Sequence, residues 1–73
     1  MPTSPNRPSA ATTLAELSSV ATALAELLRR VSGIADEVSK SEQATLGTEL
    51  YEVERTLSTA HRRLTRLIEG NRP

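Results

Sequence analysis

Apolar residues recur at intervals of three and four along the chain from Leu14 onward. This spacing places them on one side of an α-helix, and β-branched residues never form the long alternating run of a strand. Between residues 12 and 69 there is no proline, and the glycines are Gly33 and Gly47. The pattern therefore predicts two amphipathic helices. Their core-facing stripes are Leu14, Leu17, Ala21, Leu24, Leu28, Val31, Ala35 and Val38 in the first helix, and Leu46, Leu50, Val53, Leu57, Ala60, Leu64 and Leu67 in the second.

Two places can hold the turn between these helices, Gly33 or the polar stretch 39–42. A turn in the polar stretch pairs apolar residues in seven successive layers of an antiparallel hairpin. A turn at Gly33 would instead set Leu17 against Glu49, and burying an unpaired carboxylate is costly. We therefore place the turn in the polar stretch, which makes Gly33 an outward-facing glycine within the first helix.

We predict an all-α fold, an antiparallel two-helix hairpin with helices at about 12–39 and 42–69. The hairpin forms a domain at 12–70, between a disordered proline-rich tail at 1–11 and a C-terminal tail at 71–73. The prolines of the first tail recur every third residue, as they do in polyproline II ligands. A disordered segment that leads into a helix is the simpler interpretation.

Short capping motifs mark the two predicted helix starts. Thr13 and Glu16 have the spacing of a capping box for the first helix, although Ser9 could cap an earlier first turn. Ser39 and Glu42 have the same spacing and predict the start of the second helix.

The first helix carries an additional apolar row, Val20, Leu27 and Ile34, beside its stripe. The residues opposite this row in the predicted pairing are Glu49, Thr56 and Arg63. An apolar face wider than one partner can fill is typical of a bundle helix with two neighbours. We therefore expect association through this row, most simply as a homodimer that forms a four-helix bundle, or with another helical protein. The alternative is a monomer in which the stems of Arg63 and Thr56 shield the row.

The composition restricts what kind of site the chain can carry. Domains of about this size usually need disulfides, a metal or oligomerisation. The 73 residues include no Cys and a single His, His61, which excludes disulfides and makes structural zinc implausible. No phosphate-binding glycine loop or nucleophile elbow occurs, and the nearest carboxylate on the flank of His61, Glu54, is two turns away. We therefore expect no enzymatic activity, cofactor, metal or small-molecule substrate.

Membrane insertion and secretion are not indicated by the sequence. No segment approaches the roughly 18 apolar residues of a membrane span, and the first residues lack the pattern of a secretory signal. We expect a cytoplasmic protein with no membrane partner, and leaderless export stays open.

Charge is unevenly distributed although the formal net charge is zero. Residues 36–54 hold six carboxylates against Lys40, a net of −5, and residues 55–73 hold five arginines against Glu69, a net of +4. The hairpin would thus have an acidic turn end and a basic end, which also complements the helix dipole. A nucleic-acid-associated accessory factor is the second function to consider, and its phosphate contacts would be Arg55, Arg62, Arg63 and Arg66.

Two observations rank nucleic acid below protein as the partner. The chain as a whole is neutral, and it lacks a set of aromatic residues that could stack bases. The main prediction is a non-enzymatic protein–protein interaction module. It would be a self-associating helical hairpin that acts as a small accessory or regulatory subunit.

Overall fold

The computed structural model describes residues 9–72 and contains two helices, α1 (Ala10–Ser39) and α2 (Ala44–Gly70). The helices pack against each other as a hairpin, which confirms the predicted all-α architecture. Residues 1–8 of the proline-rich tail and Pro73 lie outside the described residues. Within the part that is described, neither helix has an apolar segment long enough to cross a membrane.

The turn occupies residues 40–43, in the polar stretch where it was predicted. The Lys40 amide donates to the Glu37 carbonyl oxygen at 3.2 Å, and the Ser41 amide donates to the Val38 carbonyl oxygen at 3.0 Å. Ser41 Oγ donates to the same Val38 oxygen at 2.7 Å and accepts from the Gln43 amide at 3.1 Å. Side-chain and backbone hydrogen bonds therefore close the turn without a glycine.

The first helix begins earlier than the predicted residue 12. Ser9 has an extended backbone, and its Oγ accepts a hydrogen bond from the Thr12 amide at 3.1 Å. The helix extends back to this cap because the residues between Ser9 and Thr13 are compatible with helix and leave no reason to stop. Ser9 is therefore the cap, in place of the capping box of Thr13 and Glu16.

The second helix begins at Ala44, two residues after the predicted position. The predicted capping box of Ser39 and Glu42 is wrong, because Ser39 is still the last residue of α1. Its Oγ donates to the Asp36 carbonyl oxygen at 3.0 Å and so completes the end of the first helix. The cap position of α2 is Gln43, which makes no side-chain capping hydrogen bond.

The predicted stripe of α1 faces α2 as expected. Every member of that stripe is buried or half-buried, and Ala35 is fully covered. The small residues on one flank of the stripe, Ser18, Ala25 and Ser32, are half-buried as well. Gly33 lies inside the continuous helix and is exposed, as predicted.

The stripe of α2 differs from the prediction. Leu50, Leu57 and Leu64 are half-buried as predicted. The members that the structure leaves exposed are Leu46, Val53, Ala60 and Leu67. The residues that face α1 in their place, each one position later, are Gly47, Glu54, His61 and Ile68. One of the two rows that face α1 is kept, and the other is replaced by a row one position, or about 100°, further around the helix. The middle of the α1-facing surface of α2 is thus rotated by roughly 50° from the predicted orientation.

Contacts near the turn explain this rotation. A Cβ atom on Gly47 would lie 3.1 Å from Ser39 Cα, tighter than most Cβ contacts, so the glycine favours this close approach of α2 to the end of α1. The Tyr51 hydroxyl donates to Asp36 Oδ1 at 2.9 Å and lies 3.2 Å from Ser39 Oγ. Helix separation depends on the side chains at the contact, so small residues on one flank draw the two helices together on that side.

Candidate interaction surface

Large aliphatic side chains project from the hairpin without being covered by either helix. In α1 they are Val20, Leu27 and Ile34, the row identified from the sequence. In α2 they are Leu46, Val53 and Leu67, which the sequence pattern had assigned to the hairpin core. Each of these six residues is 45–53% exposed, and together we call them the apolar face.

All six residues lie on the same side of the hairpin. Each one precedes, by a single position, a residue that is buried or half-buried against the other helix. Moving back by one residue from a contact residue turns the side-chain direction by about 100° about the helix axis. Because the two helices run in opposite directions and face each other, this step leads to the same side of the hairpin in both of them. A surface groove lined by Thr13 and Leu67 joins the two helices there, and Thr13 continues the α1 row seven residues before Val20.

The core between the two helices is small by comparison. Among residues 9–72 the buried apolar residues are Ala35 and Ile68, and no large side chain is completely enclosed. Apart from Gly47, which is also buried, the other residues that face the opposite helix are half-buried. The apolar face therefore carries a substantial share of the large aliphatic surface that a folded chain would place in a core.

Charged residues border the apolar face on both helices. On the α2 border the row of Glu49, Thr56 and Arg63 is exposed. On the α1 border Ile34 shares a surface groove with Arg30 and Glu37. Both signs of charge are present on each border, which is the arrangement expected around the rim of a protein interface.

The four arginines considered as anion contacts are exposed on the outer side of α2, within about 100° of one another around the helix axis. Arg55 and Arg62 line a groove on the side opposite the apolar face, which they share with Glu54. Arg63 lies at the border of the apolar face, in a second groove that it shares with Arg55 and Thr56. Arg66 is exposed near the end of α2.

Two of these arginines already have partners. Arg55 forms an exposed ion pair with Glu52, with 3.7 Å between Nη1 and Oε1. Arg62 Nη2 donates to Thr59 Oγ1 at 3.5 Å. The nearby carboxylates of Glu52 and Glu54 reduce the positive potential that a phosphate backbone would meet here.

His61 is half-buried in the contact between the helices, on the flank of α2 that faces α1. In the described part of the chain, no three carboxylate or imidazole groups are arranged as metal ligands. The most prominent surface feature of residues 9–72 is therefore the apolar face rather than a polar cleft.

Sequence reasoning found the α1 half of the apolar face and missed the α2 half. The signal that could have revealed it is Gly47, because a glycine in a helix favours a close backbone approach. Comparison with protein-family models, with curated proteins and with solved structures gave no match. The surface geometry alone therefore supports the assignment of function.

Proposed function

We propose that this chain is a non-enzymatic protein–protein interaction module that pairs with a second copy of itself through the apolar face. The resulting four-helix bundle serves as a small accessory or regulatory subunit. The observation that supports this proposal best is the row of three half-exposed aliphatic residues on each helix, on one side of a hairpin whose buried apolar residues are Ala35 and Ile68.

Burial of the apolar face would add stability that a chain of this size needs. Complete burial of a large aliphatic side chain contributes about 1.5–3 kcal/mol, and roughly half of that remains available at each half-exposed position. Small domains rarely gain enough stability from their own core, and oligomerisation is a common remedy. Covering six such residues in each copy therefore favours a stable bundle over an isolated hairpin.

The spacing of the apolar face suits helices as the occupant. Both rows repeat every seven residues, from Val20 to Ile34 in α1 and from Leu46 to Leu67 in α2. A seven-residue repeat is the pattern of a helix packing seam. Because Glu49 and Arg63 border the face together, the same surface can meet itself with opposite charges in contact.

Nucleic-acid association stays the second candidate, supported by the four exposed arginines on the outer side of α2, although carboxylates lie among them. Arg55 is paired with Glu52, and Arg62 shares its groove with Glu54. Salt-dependent retention on DNA or RNA would support this function if a variant with both Arg62→Glu and Arg63→Glu lost it. The mass of the same variant has to be measured alongside, because Arg63 also borders the apolar face.

The mass of the full chain in solution tests the proposal. We expect the wild type at twice the 7.9 kDa chain mass by light scattering, and Leu27→Glu at the mass of one chain. The substitution places a carboxylate in the middle of the α1 row, where a dimer would bury it. Ser19→Glu is the matched control, because it adds the same charge on the exposed outer side of α1 and should leave the dimer intact.

A second measurement covers the case in which Leu27→Glu fails to fold. Melting of the wild type should depend on concentration, since a tenfold increase stabilises a dimer by about 1.4 kcal/mol. For two chains of this size the melting temperature would rise by about 3–5 °C. The proposal is wrong if the wild type has the mass of one chain and a melting temperature that neither concentration nor Leu27→Glu changes.

A further inference from the structure

The apolar face is symmetric about a single position along the helix axes, the one at which Leu27 and Thr56 lie. Leu27 is the middle residue of the α1 row, and it lies twelve residues before the end of α1 at Ser39. Thr56 is the middle residue of the charged border of α2, and it lies twelve residues after the start of that helix at Ala44. Both residues are therefore about 18 Å from the turn, side by side on neighbouring helices.

A two-fold axis perpendicular to the helices at this level superimposes the apolar face on itself. It would place Leu27 against the partner's Leu27 and Val20 against the partner's Ile34. On the other helix it would place Val53 against the partner's Ala60. The last layer is Leu46 against the partner's Leu67. Every layer is apolar on both sides, so a second copy fills the face without a buried charge.

We infer that the second copy binds in an antiparallel orientation across this two-fold axis, with the turn of one chain over the terminal end of the other. We call this orientation head-to-tail packing. This inference rests on the self-association proposed above and adds the orientation of the partner. In this arrangement α1 crosses α1 of the partner and α2 crosses α2 of the partner. All neighbouring helices in the bundle are then antiparallel, as they also are when both turns lie at the same end.

The charge distribution favours this orientation over one with both turns at the same end. The turn end carries four carboxylates against Lys40, and they are Asp36, Glu37, Glu42 and Glu49. Among residues 9–72, the opposite end carries four arginines against Glu16 and Glu69, and they are Arg62, Arg63, Arg66 and Arg72. Head-to-tail packing brings unlike ends together, whereas the other orientation brings two acidic turn ends into contact.

The borders of the face give a finer distinction. Across the two-fold axis, Glu49 lies beside the partner's Arg63, and this favourable pair occurs twice in the dimer. On the α1 border, Glu16 lies beside the partner's Glu37, an exposed pair of like charges that also occurs twice and costs little. With both turns at the same end, Glu49 would lie between the partner's Arg30 and Glu37, and Arg63 would lie beside the partner's Glu16, so the two orientations differ in which residues pair.

The distance between the two turns in the dimer tests the orientation. The chain contains no Cys, so Gln43→Cys gives one spin label per chain at an exposed turn residue that lies outside the apolar face and makes no side-chain capping hydrogen bond. Head-to-tail packing places the two labels about 40 Å apart, twice the distance along α2 from Gln43 to Thr56. With both turns at the same end the labels would be within about 20 Å, given helix separations of about 8–10 Å.

The outcomes separate the orientation from the self-association. A distance near 40 Å supports the head-to-tail dimer, and a short distance overturns it while leaving the self-association intact. Absence of any dipolar coupling, together with the mass of a single chain, overturns both proposals.

Charge reversal gives an independent test of the same orientation. Glu49→Arg alone and Arg63→Glu alone each bring like charges together twice, and we expect each to raise the dimer Kd by about 3- to 10-fold. The double variant should restore the wild-type Kd, because the pair is re-formed with its signs exchanged. Glu26→Arg, on the exposed outer side of α1, is the matched control and should leave the Kd unchanged. Failure of the double variant to recover would contradict the head-to-tail pairing.

Discussion

Gly33 and Gly47 both lie inside helices, but their surroundings predict opposite effects for the same substitution. A Cβ at Gly33 would meet nothing within 4 Å. A Cβ at Gly47 would lie 3.1 Å from Ser39 Cα and 3.2 Å from Ser39 N, which are backbone atoms of the other helix. Replacing each glycine by alanine therefore compares helix propensity alone with helix propensity opposed by a steric clash.

The magnitudes follow from these distances. Alanine favours a helix interior over glycine by about 1 kcal/mol, so Gly33→Ala should raise the free energy of unfolding by that amount. At Gly47 the same gain is opposed by overpacking, which typically costs about 1–3 kcal/mol when the neighbour has to move. We expect Gly47→Ala to leave stability unchanged or to lower it by as much as about 2 kcal/mol.

Urea denaturation followed by circular dichroism measures both variants. The two proteins and the wild type should be compared at one chain concentration, since self-association makes the apparent stability concentration-dependent. An unchanged slope of free energy against urea would show that a shift in midpoint reports stability. If Gly47→Ala is stabilised as much as Gly33→Ala, the close approach of α2 to Ser39 is wrong, and so is the rotation that depends on it.

Two further comparisons test the helix start and the rotation of α2. In urea denaturation, Ser9→Ala should lower the free energy of unfolding by about 1 kcal/mol, because the helix loses its N-terminal cap. Thr13→Ala should have little effect, and equal losses in the two variants would contradict Ser9 as the cap. In a Leu27→Glu background that prevents dimerisation, Leu64→Ala should destabilise the hairpin by about 1 kcal/mol more than Leu67→Ala, measured by urea denaturation. In the wild-type background Leu67→Ala should instead raise the dimer Kd, and the reverse order in either assay would restore the stripe predicted from the sequence.

The amino-acid sequence by itself determined the two helices, the turn and the presence of more apolar surface than one hairpin seam can cover. These properties are local or follow from counting. The spacing of three and four specifies a helix, a polar stretch between two such segments specifies the turn, and the row from Val20 to Ile34 is visible beside the α1 stripe. The end of α1 at Ser39 follows from the same pattern.

Only the tertiary structure decided which face of α2 meets α1. Beside Leu50, Leu57 and Leu64, the periodicity is compatible with a neighbouring row on either side, one that contains Val53 and one that contains Gly47. Hydrophobicity favours the row with Val53. The close contact of Gly47 with Ser39 and the hydrogen bond from Tyr51 to Asp36 select the other row. Both interactions join residues of different helices, so their effect depends on how closely two folded segments approach each other, which a pattern along one chain does not contain.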